Sequence, residues 1–175
     1  SRNTKSSYKA VEQFLYPNIP REIEDEILTT YANYNVEADM TTMELSSYFT
    51  ELQMPKELYK LLNYQDLCID GTNVVDFDNL VRATYHLLVF MDNQETIDEQ
   101  WLLLVEFSGR GERFPRVNLR NHVLSIKDLQ KISNAIGGDN GHLVDMMSCA
   151  TNGKRVFITY LDFAYLLGKL GKLRY

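Results

Sequence analysis

The sequence predicts an all-α fold built from two pairs of helix–loop–helix units, and three observations carry that expectation. One pattern recurs four times: an apolar residue, then Ser, Thr or Asp, two residues of any type, then Asp, Glu or Asn, and another apolar residue. It reads MTTMEL at Met40–Leu45, VDFDNL at Val75–Leu80, LSIKDL at Leu124–Leu129 and ITYLDF at Ile158–Phe163. The steps from cap to cap are 35, 49 and 34 residues, two short steps around a longer one, which groups the units in pairs. Helical periodicity follows each copy: Leu45, Tyr48, Phe49, Leu52; Leu80, Val81, Thr84, Leu87, Leu88; Leu129, Ile132, Ile136; and Phe163, Leu166, Leu167, Leu170.

Each copy reads as a helix start with a capping box or a weakened form of it. The side chain of Thr41, Asp76, Ser125 or Thr159 can accept from an orphan backbone N–H, while Glu44, Asn79, Asp128 or Asp162 occupies the first turn. Four further helices precede them. PREIEDEILTTYANY puts Pro20 beside a first turn rich in acids, as a helix dipole favours. PKELYKLLNY starts in the same way at Pro55, and ETIDEQWLLLVEF and GHLVDMMSCA open the second pair of units. The expected inventory is eight helices, with little strand beyond short pairings just before the caps. Residues 1–7 are expected as a flexible tail, 8–91 as the first helix–loop–helix pair, and 92–175 as the second, with an Arg-rich insert at 108–120.

Composition limits the function. A chain of 175 residues with 45% apolar content can bury a core, and eleven tyrosines and eight phenylalanines argue against disorder. The apolar runs are too short for a membrane span, and no signal sequence opens the chain. Residues 1–91 carry 7 basic and 14 acidic side chains, whereas 92–175 carry 11 and 10. An acidic first half repels a phosphate backbone, so no direct nucleic-acid binding is expected. Cys68 and Cys149 flank no CxxC and read as core thiols of a reduced, intracellular protein. His86, His122 and His142 form no ligand spacing, each with an ordinary surface or helix explanation, and Trp101 reads as a core anchor. With no GxSxG, P-loop or Cys–His signature, neither an enzyme nor a cofactor is expected.

MTTMELSSYFTEL and VVDFDNLVRATYHLL resemble the loop exits and second helices of the EF-hand superfamily, in its calmodulin and centrin branch. The resemblance implies a degenerate four-EF-hand fold with very short bridging strands, in which Met40 pairs with Val75 and Leu124 with Ile158. Placing each capping acid at the last position of a calcium loop gives Asn33–Glu44, Cys68–Asn79, Val117–Asp128 and Thr151–Asp162. Calcium needs roughly six to eight oxygens with several negative charges. The first loop has Ala38 at its turn-glycine position; the second has Cys68 and Asn79 at its ends; the third has Val117 and Leu119 at ligand positions; the fourth has Arg155 where the cation would sit. No metal site is expected, with weak calcium binding left open for Asn33–Glu44 alone. The third loop is also overlong. From Ser108 to Asp128 is 21 residues, with Arg110, Arg113, Arg116 and Arg120 against Glu112. A solvated surface loop is one reading; contact with an acidic partner segment or a phosphate backbone is the other.

REIEDEIL, GTNVVDFDNLVRAT, HVLSIKDLQKISNAIG and SCATNGKRVFITYLDFAYLLGKLG resemble the centrin-like accessory proteins of yeast nucleotide excision repair. That resemblance implies a nuclear protein, with the cytoplasm left open as a second location, that binds a helix of an XPC-type DNA damage-recognition protein. An amphipathic helix would lay apolar anchors in a groove of one unit, with no calcium required. The groove residues expected in the second pair are Leu129, Ile132, Ile136, Met146, Met147, Phe163, Leu166 and Leu167, though such stripes serve equally as core. The rival expectations are a calcium sensor and a light-chain-like adaptor on another helical target.

Overall fold

A computed structural model describes residues 2–138 and 143–175, and the side chains of 8–138 and 146–175. Its elements run α1 (Arg2–Leu15), α2 (Arg21–Ala32), α3 (Leu45–Glu51), α4 (Lys56–Tyr59), α5 (Phe77–Asp92), α6 (Gln94–Ser108), α7 (Arg110–Arg113), β1 (Val123–Ser125), α8 (Ile126–Ala135), α9 (Leu143–Thr151), β2 (Phe157–Thr159) and α10 (Tyr160–Lys169). Single 3₁₀ turns occupy Thr42–Glu44, Tyr64–Leu67 and Leu119–Asn121. The chain is mostly helical, with one two-stranded sheet among the described residues. None of those helices is long and apolar enough to cross a membrane.

All eight anticipated helices are present, joined by α1 and α7, which were not anticipated. The backbone of α1 begins at Arg2, inside the segment expected as a flexible tail; Ser1 and the side chains of residues 2–7 lie outside the described residues. Its polar opening hides a short inward stripe, of which Phe14 is fully buried. α7 is one turn. Gly109, at φ +77°, ends α6 in the left-handed conformation and lets the chain re-enter a helix at Arg110.

The chain divides into two compact units, Ser1–Asp92 with Tyr175, and Asn93–Arg174. In the first unit, Phe14 stacks on His86 at 4.8 Å and meets Tyr175 edge-on at 5.5 Å, and a His86 ring nitrogen lies 2.8 Å from the Phe14 carbonyl. Thr84 donates to the Leu80 carbonyl at 2.7 Å, so Tyr48 must be the donor in its 2.9 Å bond to the Thr84 hydroxyl. Burial pushes the Tyr48 phenol well up, which keeps it a donor. The caps are joined by a short antiparallel bridge. Val75 N–H donates to the Met40 carbonyl and Thr42 N–H to the Asn73 carbonyl, at 2.8 and 3.1 Å, with Thr41 opposite Val74.

The second unit repeats this with a longer ladder, β1 antiparallel to β2, pairing Val123 with Thr159, Leu124 with Ile158 and Ser125 with Phe157. The bridge residues Met40, Val75, Leu124 and Ile158 are all buried. Strand and cap share one design: the alternating pleat turns the apolar residue inward and leaves the next one to start the helix. Trp101 is fully buried and donates its indole N–H to the Leu119 carbonyl at 2.8 Å.

Two single-residue expectations need correction. Cys68 is buried, but Cys149 is exposed, because α9 turns Met147, Ala150 and Thr151 inward. Neither forms a disulfide. His122, just past the Leu119–Asn121 turn, is buried rather than on the surface; His86 has its helix explanation as a buried residue of α5, and His142 lies outside the described residues.

Candidate functional site: carboxylates closed by guanidinium groups

The three first-turn acids, Glu44, Asp128 and Asp162, each reach back to their own caps. Glu44 accepts from the Thr41 N–H and hydroxyl at 2.8 and 2.7 Å; those two bonds hold its carboxyl below the usual range. Asp128 accepts from the Ser125 N–H and hydroxyl at 2.8 and 2.9 Å, and Asp162 accepts from the Thr159 N–H and hydroxyl at 2.8 and 3.1 Å. The weakened box at Asp76 differs. Its carboxylate caps the Asp78 N–H at 3.1 Å, while the Asn79 side chain accepts from Arg82. An uncharged amide at that position is free to serve a neighbour on its own helix.

In the second unit the remaining lone pairs of these carboxylates go to arginine. Asp128, almost entirely buried, takes Arg110 Nε at 2.5 Å and Arg113 Nη2 at 3.0 Å. Asp162 pairs with Arg155 through its other oxygen. Arg120 closes the far end of the insert with a bidentate pair to Asp98, at 3.0 and 2.8 Å, and Tyr160 donates to the same carboxylate at 2.7 Å. The Arg-rich insert is a surface loop, exposed over residues 112–118, but three of its arginines are tied to acids of the same unit. Arg110 and Arg120 turn inward, Arg113 reaches Asp128 while staying nearly half exposed, and Arg116 alone of the four makes no ion pair among the described residues. Sequence spacing could not reveal this, because each guanidinium meets an acid 15–22 residues distant.

The eight expected groove residues separate on burial. Leu129, Ile132, Met147, Phe163 and Leu167 are core, Phe163 lying 5.5 Å from the Trp101 ring. Leu166 is half-buried, while Ile136 and Met146 are exposed. The five are buried because α9 and α6 each pack on both α8 and α10, and a partner reaches them only if the unit opens. Lys169, singled out by no pattern, is buried in α10 and donates to the Cys149 carbonyl and the Asn152 side chain, both at 3.0 Å. Burial pushes its ammonium group down, and these acceptors close the end of α9.

The curated relative named DNA repair protein RAD33, from Saccharomyces cerevisiae, is 50% identical to this chain over 175 residues, covering 99% of each. The family model described as Rad33 matches residues 59–141. The chain belongs to the Rad33 family. No solved structure matches it. The matched span takes in α5, α6, the insert and α8, and with them both arginines on Asp128.

Asp128 gives this Rad33-family chain a predictable acid response. Burial pushes its carboxyl up, but the Ser125 N–H, Arg110 and the Ser125 hydroxyl outweigh it and hold the group below the usual range. A depressed folded-state value means the unfolded chain binds the proton first. The contribution is whole above about pH 4 and is lost as the pH falls through the lower folded value. Stability of the second unit, followed by Trp101 fluorescence, should hold from neutrality to about pH 4 and then fall. Asp128→Asn should be less stable at neutrality and lose less on acidification. Parallel acid profiles for the two proteins would remove Asp128 as the titrating group.

Proposed function

We propose that this chain is a non-catalytic DNA-repair accessory protein that acts in the nucleus by binding a helix of an XPC-type damage-recognition protein, without calcium. The observation that carries the reading is the 50% identity, across 99% of both chains, to a protein named for DNA repair. The finer claims rest on the site. Two units, each with an antiparallel bridge joining two capped helices, fit a degenerate pair of EF-hands. In the second unit Arg110, Arg113 and Arg155 satisfy the acids that would otherwise close on a metal. A guanidinium held on the carboxylate provides the charge balance of a cation permanently, so ion concentration has nothing to switch.

A helix partner would meet Ile136, Met146 and Leu166 first and reach the five buried residues as the unit opens, with the cost of opening taken from the binding energy. The test is capture of the XPC-type protein by the full chain, with calcium and with chelator. Equal capture is expected in both, and Ile136→Asp with Met146→Asp should weaken it roughly tenfold or more, as loss of apolar anchors does. Because both side chains are exposed, the double variant should keep its fold, which Trp101 fluorescence checks. Capture lost with chelator would favour the calcium-sensing alternative. Unchanged capture by the double variant would remove this face.

A further inference from the structure

We infer that α6 and the insert form a second docking surface, distinct from the α8–α10 face, for a basic amphipathic helix of a protein partner. On α6 the inward side is taken by Ile97, Trp101, Val105 and Ser108. Its outward strip is Glu99, Leu102, Leu103, Glu106 and Phe107, at the spacing i, i+3, i+4, i+7, i+8. Leu102, Leu103 and Phe107, with Phe114 and Val117 of the insert, are each 40–51% exposed. Between helix and insert lies a cleft of about 530 Å³, floored by Val105 and walled by Leu102, Phe114, Pro115 and Val117. Leu102, Phe114 and Val117 border the cleft, and Leu103 and Phe107 continue the apolar strip along α6 beyond it, which exceeds what a soluble surface usually scatters singly.

The charge around the cleft selects the occupant. Glu106 and Glu112 line it, and with Glu99 they have no ion-pair partner among the described residues. Arg110 and Arg113 share the single charge of Asp128 and lie over the Phe114 ring, and Arg120 is bound to Asp98, so strip and insert hold four guanidinium groups against five carboxylates, with Glu106 and Glu112 the acids in the cleft wall. An apolar strip edged by free acids suits a helix whose apolar anchors are flanked by lysine or arginine. The strip from Glu99 to Phe107 is about 12 Å long at the α-helical rise, the reach of partner anchors at i, i+3 or i+4, and i+7. Nucleic acid would meet net negative charge, and a second copy in isologous contact would set Glu106 and Glu112 against their own kind.

The test uses the full chain and a synthetic 20-residue helical peptide with leucine at every third or fourth position and lysine between, alongside a copy with glutamate for lysine. Fluorescence anisotropy should show the lysine peptide binding roughly tenfold or more tightly, less so as salt rises. Backbone amide shifts should fall on α6 and residues 110–119. Phe107→Asp should weaken binding about tenfold, and Glu106→Lys with Glu112→Lys should abolish the preference between peptides. Equal affinity for the two peptides, indifference to Phe107→Asp, or a dimer that Phe107→Asp dissolves would each overturn the inference. Shifts confined to Ile136, Met146 and Leu166 would also overturn it, while leaving the function proposed above intact.

Discussion

Asp128→Ala is expected to destabilise the second unit by about 3 kcal/mol, the low end for removing one partner of a buried ion pair. The carboxylate serves four donors: the Ser125 N–H and hydroxyl, Arg110 and Arg113. Its side chain is 3% exposed, whereas those of Arg110 and Arg113 are 21% and 46% exposed. Part of each guanidinium can therefore return to water when the acid is gone, so the loss is less than the sum of its interactions. Losing the capping box alone costs about 1 kcal/mol. The chain's single tryptophan, Trp101, lies buried in this unit, so urea unfolding followed by its fluorescence reads the effect directly. Arg113→Ala should cost about 1 kcal/mol or less, since that side chain is nearly half solvated. A loss below about 1 kcal/mol in Asp128→Ala would mean that the insert is held by Trp101 and Arg120 without this clamp.

Phe14→Ala should cost the first unit about 3–4 kcal/mol, within the usual range for truncating a buried phenylalanine. Phe14 is 1% exposed and sits among the rings of His86, Phe90 and Tyr175. Alanine leaves a cavity between α1 and α5 that three rings cannot fill by small shifts. The expected signature is loss of amide-exchange protection in α1, with weaker protection in α5. Protection in α1 equal to that of the parent chain would show that α1 is held by contacts other than this aromatic cluster.

Legibility differed by the range of the interaction. Thr41, Ser125 and Thr159 were readable as caps because cap and acid are three residues apart, and a helix start brings that spacing together without outside help. The pairing of Leu124 with Ile158 was readable because two such starts placed side by side set the register. The Asn79 box weakened where the acid was missing. α1 carries no comparable local signal, because its inward stripe is short, follows a polar opening, and is buried by rings far along the chain. For the groove, hydrophobic periodicity picked out eight residues but could not separate core from surface: Ile132 and Ile136 share one stripe, yet the second passes beyond the packed end of α8.

The chain alone determined the number and pairing of its capped helices, because a cap and its first-turn acid are close together in sequence. Tertiary structure decided where the charge of the insert goes. Four arginines within a short loop look like a cationic surface until the fold sets Asp98 and Asp128 within reach of three of them. A guanidinium near a buried carboxylate loses less by leaving water than one facing an apolar wall, and only the folded chain specifies which of these it meets.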